Sequence, residues 1–226
     1  MWTRFQDRRE AGRALGVALA HLAGRPDTLV LGLPRGGVPV AIEVARALGA
    51  PLDVCVVRKL GVPGHEELAM GALASGGGAV LNRELIQELG IPPSEIERVA
   101  ERELAELARR ERVLRGAQPP VSVRGRSVIL VDDGLATGST MRAAVKAIRR
   151  LEPDRVVVAI PVAPADVCAS LEAEVDELVC LSMPESFFAV GLWYEDFRQV
   201  SDEQVQELLA EAARWRQTQH PPTASG

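Results

Sequence analysis

Cysteine is scarce in this chain, and aromatic residues make up only 4% of it. The three cysteines, Cys55, Cys168 and Cys180, are odd in number, widely spaced and form no CxxC. A disulfide framework or zinc set needs paired or closely spaced thiols, so these read as reduced core residues of a cytosolic protein. No apolar run is long enough to span a bilayer, and the start, Met1-Trp2-Thr3-Arg4-Phe5-Gln6-Asp7-Arg8, has no apolar stretch of signal type. The expected location is therefore cytoplasmic. A basic excess is absent too: the net charge is −5. That argues against broad binding to nucleic acid or anionic membrane, which needs a basic footprint. A small anionic substrate stays open, because a local pocket can be positive on an acidic protein. The Gly-Lys-Ser/Thr of a P-loop and the dinucleotide glycine fingerprint are missing as well.

What is present is the mix of a soluble globular protein, 47% apolar and 25% charged over 226 residues. That length suits a single domain, 1–226, with appended elements. The apolar runs Thr28–Leu33, Leu52–Val57, Ser127–Val131, Arg155–Ile160 and Glu177–Leu181 are continuous rather than alternating. Strands buried on both faces read this way, as in a parallel sheet covered by helices. Helical patterns over Arg8–Leu22, Val38–Leu48, Ser139–Leu151 and Pro164–Leu171 separate them. The β-α-β rhythm predicts an α/β fold: a doubly wound, mainly parallel sheet with helices on both faces. Glycine-rich Leu60–Ala79 interrupts it and suits a hairpin, with Leu68–Ala74 and Ala79–Leu81 as strands. A helical insertion follows at about 84–120, with Ser94 as N-cap and Pro119-Pro120 at its end. A final helix, about Asp202–Arg216, starts behind a Ser201 cap, and the tail, about 218–226, is expected to be disordered.

The chemistry concentrates in Val128-Ile129-Leu130-Val131-Asp132-Asp133-Gly134-Leu135-Ala136-Thr137-Gly138-Ser139-Thr140. An apolar strand runs straight into two carboxylates. In an open α/β sheet, ligands bind in the crevice beyond the carboxyl ends of the strands. Neighbouring like charges there are costly unless a cation or hydroxyl donors offset them. Thr137, Ser139 and Thr140 then supply three hydroxyls, and Gly138 lets the backbone approach closely. A helix begins at that point, so its free N–H groups and positive dipole end face the loop. Ala136 to Thr140 therefore reads as a phosphate cup, with the doublet placed to touch the sugar that carries the phosphate. A strand end or a helix cap alone would mean little; their union in one strand-loop-helix unit points to a ligand. A phospho-receiver domain also puts an acid pair at a strand end. It needs an Asp and a Lys at later strand ends, and Ile160-Pro161 and Leu181-Ser182 supply neither.

The segment resembles the signature by which type I phosphoribosyltransferases bind phosphoribosyl pyrophosphate (PRPP). Val-Asp-Asp-x-Leu-Ala-Thr-Gly-x-Thr is closest to its adenine phosphoribosyltransferase form. The resemblance implies that Asp132 and Asp133 hold the ribose 2- and 3-hydroxyls, directly or through Mg²⁺, as catalytic and metal-side acids. It implies that Ala136, Thr137, Gly138, Ser139 and Thr140 hold the 5-phosphate. Leu31-Gly32-Leu33-Pro34-Arg35-Gly36-Gly37-Val38 resembles the family's pyrophosphate loop. Its glycines let N–H groups face an anion, and Arg35, there a catalytic residue, adds a fork of donors beside Gly36 and Gly37. A strained or cis non-proline peptide is expected near Arg35–Gly36. Arg58-Lys59-Leu60-Gly61-Val62-Pro63-Gly64 is similar to the Arg-Lys-x-Gly-x-x-Pro-Gly stretch of adenine enzymes. That likeness implies a catalytic Lys59 on the pyrophosphate, with Arg58 near it. The glycine-rich segment after it resembles the family's mobile loop, in which His65 reads as a surface residue. The likeness covers most of Thr28–Leu181 and extends to a bacterial group of phosphoribosyltransferases with an inserted helical arm.

The aromatics gather in Met183–Phe197, which suits a hood at about 182–198. Phe188-Ala189-Val190-Gly191 is similar to the Phe-Val-Val-Gly of hypoxanthine-type hoods. That implies base contacts from Phe187, Phe188, Val190, Trp193 and Tyr194; packing of the last helix onto the sheet is the competing reading. Phe5-Gln6-Asp7-Arg8-Arg9 is a further hood candidate. Ala136 stands where 6-oxopurine enzymes carry an Asp, which weakens a hypoxanthine or guanine reading and leaves adenine and orotate open. The function implied is Mg²⁺-dependent transfer of the 5-phosphoribosyl group of PRPP to a nitrogenous base. The partners expected are PRPP and a nucleobase-like acceptor, without nucleic acid or membrane. The helical arm suits either a homodimer contact or a lid. The alternative is a regulator on the same fold that senses PRPP without turnover.

Overall fold

A computed structural model describes residues 4–116 and 118–219. After α1 (Arg8–Ala18), the chain alternates β1 (Thr28–Gly32), α2 (Gly37–Leu48) and β2 (Leu52–Val54). It then makes β3 (Val57–Val62), β4 (His65–Ala74) and β5 (Gly78–Leu81), followed by α3 (Arg83–Glu88) and α4 (Pro93–Arg115). The alternation resumes with β6 (Ser127–Val131), α5 (Ser139–Arg149), β7 (Arg155–Val162), α6 (Ala165–Glu172) and β8 (Glu177–Ser182), and α7 (Asp202–Gln219) closes it.

The main sheet is parallel throughout, in the order β2-β1-β6-β7-β8. Its strands explain their own apolar runs, since β1 and β6 are buried along their whole length. Alternate residues feed two separate cores. Val30, Ile129 and Val131 pack with α1, α2, α4 and α7 on one face. Leu29, Leu31, Val128 and Leu130 pack with α5 and α6 on the other. Truncating any of these fully buried side chains to Ala should cost about 2–5 kcal/mol. The strand order reverses between β1 and β6, where Gly32 pairs with Val131. The loops after these two strands therefore leave side by side, at the position where open α/β sheets place ligands.

Several boundaries differ from those read in the sequence. Leu52–Val57 is not one strand. The Cys55 N–H bonds the Gly32 carbonyl at 3.0 Å, but the Val56 N–H bonds Ser75 Oγ at 2.8 Å, so the chain changes partners there. Val57 then opens a second, antiparallel sheet, β3-β4-β5, in which β4 begins at His65 rather than Leu68. Arg8–Leu22 splits into α1 and a 3₁₀ turn at Ala20–Leu22. Ser94 does not cap α4: that helix starts at Pro93, whose fixed φ suits the first helical position, and it has no side-chain cap. Ser201 does cap α7, by a reciprocal box in which the Gln204 N–H donates to Ser201 Oγ and the Ser201 N–H to Gln204 Oε1. Thr218 and Gln219 belong to this helix rather than to a tail, and the rest of the segment read as disordered lies outside the described residues.

The helical arm is bound firmly to the body. At its far end Arg115 pairs with Asp53 at 2.7 Å and donates to the Val54 carbonyl, both side chains of the pair being almost fully buried. Asp53 also accepts from the Val121 N–H, so one carboxylate ties β2, α4 and the return to β6 together. The three cysteines are free: Cys55 and Cys168 are buried and Cys180 partly so. Burial pushes the thiols of Cys55 and Cys180 up to about 12.

Candidate active site at the strand switch

The doublet sits where the sheet topology sends it, at the carboxyl end of β6. The Asp133 N–H bonds Asp132 Oδ1 at 2.9 Å, which turns the backbone away from the sheet. The Leu33 N–H bonds the Val131 carbonyl at 2.8 Å and holds the loop after β1 against the doublet. Two glycines permit that contact. A Cβ on Gly36 would lie 2.0 Å from Asp133 Oδ2, and one on Gly37 would lie 2.6 Å from the Val131 carbonyl oxygen. Gly36 has ordinary helical φ and ψ, so it is the neighbour and not the backbone that demands glycine. The Pro34–Arg35 peptide is cis, one bond before the place expected.

Burial pushes the Asp132 carboxyl well above the usual range, and the neighbouring Asp133 charge pushes it further. Burial also raises Asp133, against the pull of Arg8, whose Nε lies 2.8 Å from Asp133 Oδ2. Arg8 is itself held on several sides. It donates to the Arg198 carbonyl at 2.9 Å, and its guanidinium lies 3.9 Å from the Phe197 ring centre. Arg8 thus pairs with Asp133 directly and reaches Asp132 only as a weaker, more distant charge. The described residues contain no cluster of three or more His, Cys, Asp or Glu able to cage a metal. Two carboxylates fit Mg²⁺ nonetheless, because that ion commonly takes one or two protein carboxylates and completes its shell with water and substrate phosphates.

Beyond the doublet, the Leu135 N–H bonds the Val162 carbonyl and steers the loop over the end of β7. Gly138 stands at the N-terminus of α5 with φ 69°, a left-handed conformation that favours glycine. Ala136, Thr137, Ser139 and Thr140 are exposed around it. Thr137 Oγ1 and Ser139 Oγ lie 3.3 Å apart, and the Arg142 side chain donates to the Thr137 carbonyl and fixes the loop from behind. Lys59 reaches the same mouth from β3, its Nζ 3.3 Å from Ser139 Oγ. Asp132, Asp133, Gly36, Gly37 and the Ala136–Thr140 loop are thus gathered at one end of the sheet, with Lys59 beside them.

Other expected site residues are placed differently. Neighbouring residues on a strand point to opposite faces, so Arg58 cannot accompany Lys59. It turns to the helical arm and pairs with Glu103 at 2.6 Å. The Arg35 guanidinium lies 3.7 Å from Asp202 at the start of α7. Tyr194 is no free stacking ring. It is buried, its hydroxyl donates to the Asp133 carbonyl at 2.6 Å, and its ring packs on Phe5 and Phe197. Burial holds that hydroxyl protonated, far above its ordinary range. Val190 does reach the crevice, since a Cβ on Gly134 would lie 2.6 Å from its Cγ1. Phe187 and Trp193 are half-buried and Phe188 is 86% exposed. His65 is exposed at the hairpin tip, near Glu67.

Sequence reasoning placed Arg8 in a candidate hood segment but did not give it the acidic doublet as a partner. Its helix carries the expected signals, an Asp7 cap on the Glu10 N–H and an acid in the first turn. A cation at the first helical position runs against the helix dipole. That misfit was the available sign of a nearby anion. Gly12 and Gly16 bring α1 onto α2: a Cβ on Gly12 would lie 2.5 Å from the Val40 carbonyl oxygen. The segment before α1 is zipped to the hood, with the Phe5 N–H on the Trp193 carbonyl and the Glu195 N–H on the Phe5 carbonyl.

Comparison with known proteins bears on the family and the fold. The crystal structure of TT1426 from Thermus thermophilus superposes with a TM-score of 0.83 at 47% identity, covering 92% of this chain and 99% of that one. A curated relative from Mycobacterium tuberculosis, named "Putative phosphoribosyl transferase Rv0571c", is 46% identical over 210 residues, 93% of this chain and 47% of its own length. The chain therefore spans about half the length of the curated relatives it matches over most of its own. The bifunctional protein PyrR of Halalkalibacterium halodurans is 35% identical over 80 residues, 34% of this chain and 44% of its own. The phosphoribosyl transferase domain family matches residues 74–194, a span that holds Asp132, Asp133, the loop Ala136–Thr140 and most of the segment 182–198. On that match, which spans more than half of the chain, the chain belongs to the phosphoribosyl transferase domain family.

Proposed function

We propose that the chain is a Mg²⁺-dependent phosphoribosyltransferase that moves the 5-phosphoribosyl group of PRPP to a nitrogenous base and releases pyrophosphate. One observation carries this reading: a half-buried carboxylate pair, one member of which meets Arg8, stands a few residues before a glycine-opened helix mouth. The mouth suits the 5-phosphate, because N–H groups at the start of α5 and the hydroxyls of Thr137, Ser139 and Thr140 are donors. The doublet suits the ribose diol, whose hydroxyls would donate to Asp132 and Asp133. The loop Arg35–Gly37 and Lys59 would then border the leaving pyrophosphate.

In the reaction a nitrogen lone pair of the base forms a bond to the anomeric carbon. The bond from that carbon to the pyrophosphate oxygen breaks and takes its electrons with it, and the proton of an N–H base passes to water or to the departing pyrophosphate. The chain needs no covalent nucleophile; it must hold the ribose, neutralise the leaving group and exclude water. Lys59 would add positive charge at the leaving group, and the doublet would steady the cationic sugar ring. When bound at the doublet, Mg²⁺ would supply the positive charge that Arg8 alone does not. Val190, at the doublet loop, and the rings of Phe187, Phe188 and Trp193 would border the acceptor. The fold is a single domain in this reading, with the arm at about 84–120 and the hood at about 182–198 as appendages.

The test is a panel: protein, PRPP, Mg²⁺ and each common nucleobase, with pyrophosphate measured. Release with one base fixes activity and acceptor together. Tight PRPP binding with no release from any base would sink the enzyme reading in favour of a PRPP sensor. A protein that neither binds nor cleaves PRPP would sink both.

A further inference from the structure

A second cleft lies behind the phosphate mouth, between α5 and the β4–β5 hairpin. Its volume is about 730 Å³, within the range of roughly 300–1,000 Å³ typical of small-molecule sites. Ala69, Ala72 and Ala143 give it small apolar floor positions. Four cations line it: Arg142, Lys146 and Arg150 from α5 and its end, and Arg83 from the start of α3 across the gap. The spacing of four residues puts the α5 cations on one helix face. Glu84 is the one carboxylate in the lining. Glu174 reaches Arg142 at 3.4 Å and Lys146 at 3.8 Å from outside the cleft. On a chain of net charge −5, this is a local concentration of positive charge around an apolar floor.

We infer that this cleft is a second ligand site, for a molecule with a flat ring and two or more phosphates, such as a nucleoside di- or triphosphate. The alanines accept the ring, and Arg83 and Arg150 meet the phosphate chain with the planar donor forks that phosphates favour. An extended nucleic acid fits less well, because the cleft is bounded by α3 and the hairpin and the chain as a whole is acidic. Ser139 lines both this cleft and the proposed phosphate mouth, and Arg142 bridges them through the Thr137 carbonyl. A ligand here would therefore alter PRPP binding; that coupling, unlike the site itself, rests on the proposed function.

The experiment is calorimetric titration of the full chain with ATP, ADP, AMP and adenosine, on wild type, Arg83→Glu, Arg150→Glu, their combination, and Asp133→Asn. Both arginines are exposed, and circular dichroism checks that the variants fold. The expected order is ATP tighter than ADP tighter than AMP, with adenosine weakest. The combined charge reversal should weaken ATP about tenfold or more, since it sets carboxylates against phosphates and like charges at a binding surface are strongly unfavourable. Asp133→Asn should leave ATP binding unchanged, which separates this cleft from the PRPP site. Pyrophosphate release without nucleotide should survive the arginine changes. ATP binding that ignores both arginines, or that is lost in Asp133→Asn, overturns the proposal. So does an absence of nucleotide binding at millimolar concentration, or binding of an oligonucleotide where ATP fails.

Discussion

The loop Asp132–Thr140 and the aromatic stretch Met183–Phe197 meet at Asp133 and Gly134, but they obey different rules. The loop is local: a buried strand ends, two acids follow, a left-handed glycine turns the chain, and a helix begins. Its backbone course is set by neighbours in sequence, while Arg8, Lys59 and Val162 brace it from afar. The hood is tertiary. Tyr194 and Phe188 belong to one aromatic run, yet one is buried against Asp133 and the other is almost wholly in water. What divides them is the segment Phe5–Arg8, which arrives from the far end of the chain and covers Tyr194. The aromatic stretch is thus ordered by a segment far away in sequence, whereas the loop takes its course from one strand-loop-helix unit.

That contrast can be sharpened by substitution. The largest effect is expected at the loop. Asp133→Asn should lower pyrophosphate release by about 10³-fold, the scale of removing a preorganised charge partner. Gly36→Ala comes next. Its backbone accepts alanine, so any loss must come from the added methyl pressing on Asp133. A misplacement of that kind costs about 10²-fold in rate.

Asp132→Asn separates function from stability. The folded carboxyl is raised above its unfolded value, so its charge disfavours folding at neutral pH, and the penalty fades as pH falls through the folded value. Removing the charge should raise the melting midpoint of the ligand-free protein at pH 8, and raise it less at pH 5. PRPP binding in the presence of Mg²⁺ should fall in the same variant. A lower melting midpoint at pH 8 would break this account of the doublet.

The hood substitutions should be milder and should differ from each other. Tyr194→Phe removes one hydrogen bond to a backbone carbonyl and should cost about 1 kcal/mol of stability, measured by denaturant titration. Phe188→Ala should leave stability within about 0.5 kcal/mol, as exposed positions do, while raising KM for the acceptor. If Phe188→Ala destabilised the chain more than Tyr194→Phe, the buried and exposed roles would have to be exchanged.

The same contrast explains what the sequence could tell. The parallel strands were legible because continuous apolar runs have few other solutions, and Ser127–Val131 matched residue for residue. The break at Cys55–Val56 was not, because an apolar run does not reveal where its backbone changes partners from Gly32 to Ser75. Lys59 and Arg58 read as a pair until strand geometry put them on opposite faces, one at Ser139 and the other at Glu103. Arg8 was visible in a candidate hood segment and as a misplaced charge at a helix start, but not as a partner of the doublet. Its partner lies 125 positions away, a distance over which spacing carries no information.

The most direct measurement is a crystal structure of the chain with Mg²⁺ and PRPP. The 5-phosphate should lie within hydrogen-bond reach of the N–H groups at Gly138–Thr140, and the ribose diol should face Asp132 and Asp133. A phosphate bound elsewhere, with that helix mouth vacant and Arg8 still closing on Asp133, would contradict the assignment.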